Sequence, residues 1–167
     1  MRPALFLDRD GTINVEVNYL YKPEEFELIP GILELAQAAK QAGYCLVVCT
    51  NQSGIARGYY SEADYQILTR HMEAVFAAAG CPLDAVYHCP ELSGPRRKPE
   101  PGMFLQAAQE LSLDMAASLS LGDKERDAQA ALAAGVPRNY LLSTGPLPAD
   151  SCATATVANP RELIAML

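Results

Sequence analysis

The sequence predicts an α/β fold, a doubly wound parallel sheet with helices on both faces. Three observations carry this. Almost continuously apolar runs of five to seven residues recur along the chain, as strands buried on both faces require. Each run is separated from the next by one segment of helical period, the spacing of right-handed crossover units. Half of the 167 residues are hydrophobic and a fifth are charged, a globular composition large enough for a proper core.

The elements follow in order. Residues 3–7 (PALFL) read as a buried strand, and 31–43 (GILELAQAAKQAG) as a helix closed by Gly43. Residues 44–50 (YCLVVCT) form a second strand. Residues 61–80 form a helix opened by Ser61 with Asp64 three positions on, a variant of the capping box, and stopped by Gly80. Residues 83–89 (LDAVYHC) are the third strand, 102–113 a helix, 118–122 (SLSLG) the fourth strand, 125–135 a helix and 138–143 the fifth strand. Residues 155–159 read as a short edge strand, and Asn159-Pro160 opens a last helix. The proline-rich stretches 90–101 and 145–150 are surface connections within a single domain spanning 1–167, with no room for a large cap domain.

Twenty acidic against thirteen basic residues give a net charge of −7. That balance argues against nucleic acid or an anionic membrane as partner, since both need cations to replace counterions. No apolar run is long enough to span a bilayer, and no basic-then-apolar leader is visible. A cytoplasmic monomer is the expectation. The five cysteines, an odd number without C-x-x-C spacing, read as reduced and mostly buried thiols.

In doubly wound sheets, ligands bind outside the carboxyl ends of the strands, and it is there that the polar residues fall. The first strand ends in Asp8-Arg9-Asp10-Gly11-Thr12 and the second in Thr50-Asn51-Gln52-Ser53-Gly54. The loop after the third carries Arg97-Lys98-Pro99, and the fourth ends in Gly122-Asp123-Lys124, with Asp127 four residues on. Carboxylates converging on one rim repel unless a cation sits among them. Mg²⁺ suits oxygen-only ligation, so Asp8 and Asp123 are expected ligands, helped by a backbone carbonyl near Asp10. A carboxylate there can attack phosphorus. Lys98 and the Thr50 hydroxyl, with backbone N–H groups around Asn51 and Arg9, suit the equatorial oxygens of the transferring group. Asp10 is placed to protonate the leaving oxygen.

The ordered set D8-R-D10-G-T, T50-N51, K98-P99 and G122-D123-K-E-R-D127 resembles the four motifs of the haloacid dehalogenase superfamily of phosphohydrolases, whose Rossmann-like fold spans almost the whole chain. The stretches LDRDGTIN, TNQSGIARG, RKPEPGM and GDKERDAQAALAAG more narrowly resemble the D-glycero-D-manno-heptose 1,7-bisphosphate 7-phosphatases, relatives of the histidinol-phosphate phosphatases. This resemblance implies Asp8 as nucleophile, Asp10 as acid/base, and Thr50 and Lys98 as phosphoryl stabilisers. It implies Mg²⁺ on Asp8, Asp10 and Asp123, and Arg97 in substrate recognition. It further implies contacts to a small phosphorylated sugar from Glu16, Val17, Asn18 and Tyr19, from Thr50, Asn51, Gln52 and Ser53, and from Lys124.

The family's zinc loop, built from C-x-H and C-x-C pairs, is HCPELSGPRRKP here. Cys89 survives, Glu91 stands at the next ligand position and the second pair is absent, so no zinc is expected. Asp127 has two open readings: it orients a metal-bound water or Lys98, or it favours the positive end of a helix. His71 and His88 read as structural, and Arg57 as an exposed cation. Histidinol phosphate is the alternative substrate. A phospho-accepting receiver domain is the rival of another class, and it fits poorly: Arg9 separates the acids, and the third strand ends in His88-Cys89 instead of Asp.

Overall fold

The computed structural model describes residues 1–167. Six strands form one wholly parallel sheet: β1 (Ala4–Leu7), β2 (Cys45–Asn51), β3 (Ala85–Cys89), β4 (Leu119–Gly122), β5 (Arg138–Leu142) and β6 (Ala155–Val157). Their spatial order is β3-β2-β1-β4-β5-β6. The helices are α1 (Ile32–Gln41), α2 (Glu62–Ala78), α3 (Gly102–Leu111) and α4 (Glu125–Ala133). None is long and apolar enough to cross a membrane.

Alternation along each strand decides which helix it meets. Leu5 and Leu7 of β1, Leu46 and Val48 of β2, and Leu119 and Leu121 of β4 pack with Ile32, Leu35 and Ala36 of α1 and Met72 and Phe76 of α2. The intervening Ala4, Phe6, Cys45, Val47 and Cys49 face Met103, Phe104 and Ala107 of α3 and Ala130 and Ala131 of α4. Both faces are therefore covered, which is why the strands lack an apolar-polar alternation.

Local signals act where expected. The backbone N–H of Asp64 donates to Ser61 Oγ (3.1 Å) and that of Ser61 to Asp64 Oδ2 (2.9 Å), opening α2. β3 starts two residues later than the apolar run, because Asp84 turns its carboxylate to the Leu46 N–H (2.7 Å) and Lys40 Nζ (2.6 Å). The last helix is corrected in kind: Pro160–Met166 winds as a 3-10 helix. Its cap is as anticipated, with Asn159 Oδ1 accepting from the Arg161 N–H (2.9 Å). A cap of this sort satisfies the first N–H groups of either helix type, so it does not select the pitch.

The sheet order also places the site. From β1 the chain winds outward through β2 to β3, then crosses back so that β4 pairs with the other side of β1. The switch point thus lies at the carboxyl end of β1, between β2 and β4. Leu7 pairs with Leu121, which sets Asp8 and Asp123 at adjacent strand ends. Between β1 and α1, residues 8–31 fold back on themselves: the Val15 N–H reaches Glu27 O (2.8 Å) and the Ile29 N–H reaches Ile13 O (2.9 Å).

Candidate active site

At the switch point opens a pocket of about 230 Å³. Of the sequence-predicted residues, Asp8, Asp10, Glu16, Val17, Asn18, Tyr19, Thr50, Asn51, Gln52, Ser53, Lys98, Asp123 and Lys124 all line it. Its floor is ionic. Lys98 Nζ lies 2.9 Å from Asp8 Oδ1, 2.7 Å from Asp127 Oδ1 and 2.7 Å from the Cys49 carbonyl. An ammonium has three donors, and all three are engaged. Lys98 is buried, and its two carboxylates hold its pKa well above the usual lysine range against the opposing effect of burial.

Asp127 serves both roles that the sequence left open. One oxygen meets Lys98, while Oδ2 accepts from the backbone N–H groups of Asp123 (3.1 Å) and Lys124 (3.0 Å) at the start of α4. Two glycines permit this crowding. Gly11 has φ +87°, and a Cβ on it would run into the Asp123 carboxylate; a Cβ on Gly122 would run into Asp127.

Carboxylate oxygens of Asp8, Asp123 and Asp127 all lie within 4.8 Å of one another. Burial, with Asp127 and Asp123 adding to it against Lys98, pushes the Asp8 carboxyl up to about 8. Burial and Asp127 likewise raise Asp123, whose Oδ1 is buried without a hydrogen-bond donor. Three converging carboxylates, only two of them paired with Lys98, with an Asp123 oxygen left unsatisfied and only oxygen donors at hand, fit a hard divalent cation.

Asp10 is held differently. Its side chain is outside that trio. Oδ1 accepts from Arg9 Nε (3.2 Å) and Asn14 Nδ2 (3.2 Å), and Oδ2 accepts from Arg9 Nη2 (3.0 Å) and Gln52 Nε2 (2.9 Å). A metal ligated by Asp10 would therefore meet its main-chain oxygen, since the carboxylate is turned to these donors.

Asn51 grips the backbone of Lys98 in both directions: its Oδ1 accepts from the Lys98 N–H (3.0 Å) and its Nδ2 donates to the Lys98 carbonyl (3.1 Å). This clasp carries the loop after β3 onto the end of β2. Glu16 and Lys124 approach to 3.8 Å across the mouth, both half-exposed. Tyr19, with φ 55°, packs its ring edge-on against Tyr59 (centroids 4.5 Å apart).

Arg97 is the predicted residue that the structure sets apart. It donates to the Glu91 carbonyl (3.3 Å) and lines not the main pocket but a second hollow with Ser93, Gly94, Lys98, Pro99 and Glu100. Nearby, Cys89 Sγ lies 3.1 Å from Glu91 Oε2, and His88 Nε2 pairs with Glu62 Oε1 at 2.8 Å. The sequence reading missed the side chain of Arg9 and also Gly54, Tyr60 and Arg126 in the lining. Only Arg9 left a local trace: an arginine wedged between two acids.

Residues 3–135 match the family of haloacid dehalogenase-like hydrolases. The D-glycero-alpha-D-manno-heptose-1,7-bisphosphate 7-phosphatase of Burkholderia mallei (strain ATCC 23344) is 46% identical, the match covering 98% of this chain and 93% of that protein. The D-glycero-beta-D-manno-heptose-1,7-bisphosphate 7-phosphatase of Yersinia pestis is 45% identical over 92% of this chain and 87% of its own length. Among solved structures, the D,D-heptose 1,7-bisphosphate phosphatase of B. bronchiseptica, complexed with magnesium and phosphate, superposes with a TM-score of 0.84 at 31% identity, covering 98% of this chain and 97% of that one.

Proposed function

The chain belongs to the haloacid dehalogenase-like hydrolases and is a phosphatase, and from that premise we propose that it removes the 7-phosphate of D-glycero-D-manno-heptose 1,7-bisphosphate in a Mg²⁺-dependent reaction through an aspartyl-phosphate. The observation that carries this reading is the buried Asp8–Lys98–Asp127 floor beside Asp123, in a chain that matches heptose bisphosphate phosphatases along nearly its full length.

Asp8 is the nucleophile. Lys98 holds Oδ1, which leaves the other oxygen to attack phosphorus. As the new acyl-phosphate bond forms, the ester P–O bond breaks and Asp10 gives its proton to the sugar oxygen. Water then attacks phosphorus, Asp10 takes its proton, and the Asp8 carboxylate is restored with release of inorganic phosphate. The Thr50 hydroxyl and the backbone N–H groups of the β1 and β2 loops serve the equatorial oxygens. Asp8 and Asp123 side chains, with the Asp10 main-chain oxygen, would hold Mg²⁺, which supplies charge neutralisation between the carboxylates and the phosphoryl group. The exposed segment Glu16–Tyr19 and Lys124 receive the sugar.

The test is phosphate release with Mg²⁺ from both anomers of heptose 1,7-bisphosphate and from histidinol phosphate, for the wild type and Asp8→Asn. Fast turnover of a heptose ester, abolished in the variant, is expected. Turnover of histidinol phosphate alone would keep the chemistry and overturn the substrate.

A further inference from the structure

Gln52 lines the pocket, yet only 2% of it is exposed and every polar position of its amide is used inside the protein. Its Nε2 donates to Asp10 Oδ2 (2.9 Å) and to Thr50 Oγ1 (2.9 Å). Its Oε1 accepts from Arg9 Nη2 (3.1 Å) and from the Tyr60 hydroxyl. A primary amide offers two donors and two acceptor sites, so all four are filled and the amide has one orientation. The partners enforce it. Arg9 can only donate, and burial pushes the Tyr60 phenol up to about 12, so Tyr60 stays a neutral O–H donor.

We propose that Gln52 is a positioning residue for the phosphatase reaction, holding the Asp10 carboxylate and the Thr50 hydroxyl in a fixed relation from a buried seat set by Arg9 and Tyr60. Two consequences follow from the bond polarity. Asp10 is kept at one angle in the lining of the pocket. Thr50 Oγ1 receives its hydrogen bond from Gln52, and its own proton reaches only the Asn51 carbonyl at 3.5 Å, a bond long enough to yield to a phosphoryl oxygen. Arg9 extends the unit: the two hydrogens of its Nη2 are shared among Asp10 Oδ2, Gln52 Oε1 and the carbonyl of Leu20 (3.0 Å), the residue after the Glu16–Tyr19 segment. The acid, the phosphoryl donor and the base of the substrate loop are thus one hydrogen-bonded body.

The inference rests on Asp10 being the acid, as in the reading above. It is tested by comparing two leaving groups in the wild type, Gln52→Met, Tyr60→Phe and Asp10→Asn. One substrate is p-nitrophenyl phosphate, whose leaving group needs no proton. The other is heptose 1,7-bisphosphate or, should the wild type refuse it, the sugar phosphate it turns over fastest. For Gln52→Met, kcat on the alkyl ester is expected to fall about 10²-fold, on the aryl ester less than about tenfold, with KM within about threefold. Tyr60→Phe shows the same selectivity at about fivefold, and decides the matter should Gln52→Met fail to fold.

Equal loss on both esters would take Asp10 out of what Gln52 positions, and a raised KM with kcat retained would make Gln52 a substrate contact; either overturns the proposal. Selectivity in Asp10→Asn without selectivity in Gln52→Met and Tyr60→Phe removes the positioning role alone. No selectivity in Asp10→Asn removes the acid assignment and the proposal with it.

Discussion

Lys98 and Asp127 at the floor of the pocket are 3% and 4% exposed, whereas Val17 and Tyr19 at its mouth are each 37% exposed. The floor is a closed set of charges in which one lysine is shared by two carboxylates and a carbonyl. The mouth is a short segment with apolar side chains turned to solvent and an exposed Lys124 loosely paired with Glu16 (3.8 Å) and Asp123 (3.5 Å). Charge taken out of water acts strongly and at fixed geometry, which suits bond-making; exposed side chains act weakly and adapt, which suits choosing a substrate. Chemistry and selectivity are therefore expected to respond to different mutations.

The largest separation comes from Asp8→Asn, which should lower kcat by about 10⁴-fold or more while substrate binding, measured by calorimetry, persists. Asp10→Asn should cost about 10²–10⁴-fold on alkyl esters. Lys98→Ala leaves Asp127 and Asp8 buried without their shared cation, and should destabilise the fold by about 3–5 kcal/mol in denaturant titration, because breaking a buried pair leaves its partner uncompensated.

Metal addition sharpens the contrast. Burial first, then Asp127, raises Asp8 to about 8. A carboxyl raised on folding contributes stability at low pH that is lost as pH climbs through its folded value. Protons and metal compete for that carboxylate, so the increase in thermal midpoint on adding Mg²⁺ should grow from pH 5 toward about 8. An increase independent of pH would place the metal away from Asp8. The smallest effect belongs to the mouth: Tyr19→Ala removes an aromatic contact worth about 1 kcal/mol, raising KM about fivefold with kcat nearly preserved. A kcat loss comparable to that of Asp10→Asn would erase the distinction between floor and mouth.

Much of the frame was legible because its signals are local. Apolar runs between helical segments report a sheet covered on both faces, and the acids after β1 and β4 fall beside one another once those strands pair. What failed to show has a common cause. The sequence pointed to Arg9 only through its backbone N–H, yet the Arg9 side chain is 1% exposed because the Leu20 turn and Tyr65 of α2 close over it. Tyr60 reaches Gln52 from the far side of the loop after β2. Both Arg97 and Lys98 were expected at the pocket, and only Lys98 enters it, its backbone held by the Asn51 clasp.

By itself, then, the sequence determined which strands and helices form, that carboxylates and a lysine meet at the switch point, and that the chain is a phosphohydrolase, since periodicity and strand-end composition need only neighbouring residues to act. Tertiary structure alone decided the 3-10 winding of Pro160–Met166, the burial of Arg9, the outward turn of Arg97 and the four-way fixing of Gln52. For Gln52 the reason is plain: its four partners come from separate stretches of the chain, and the cost of leaving a buried donor or acceptor unpaired selects one arrangement.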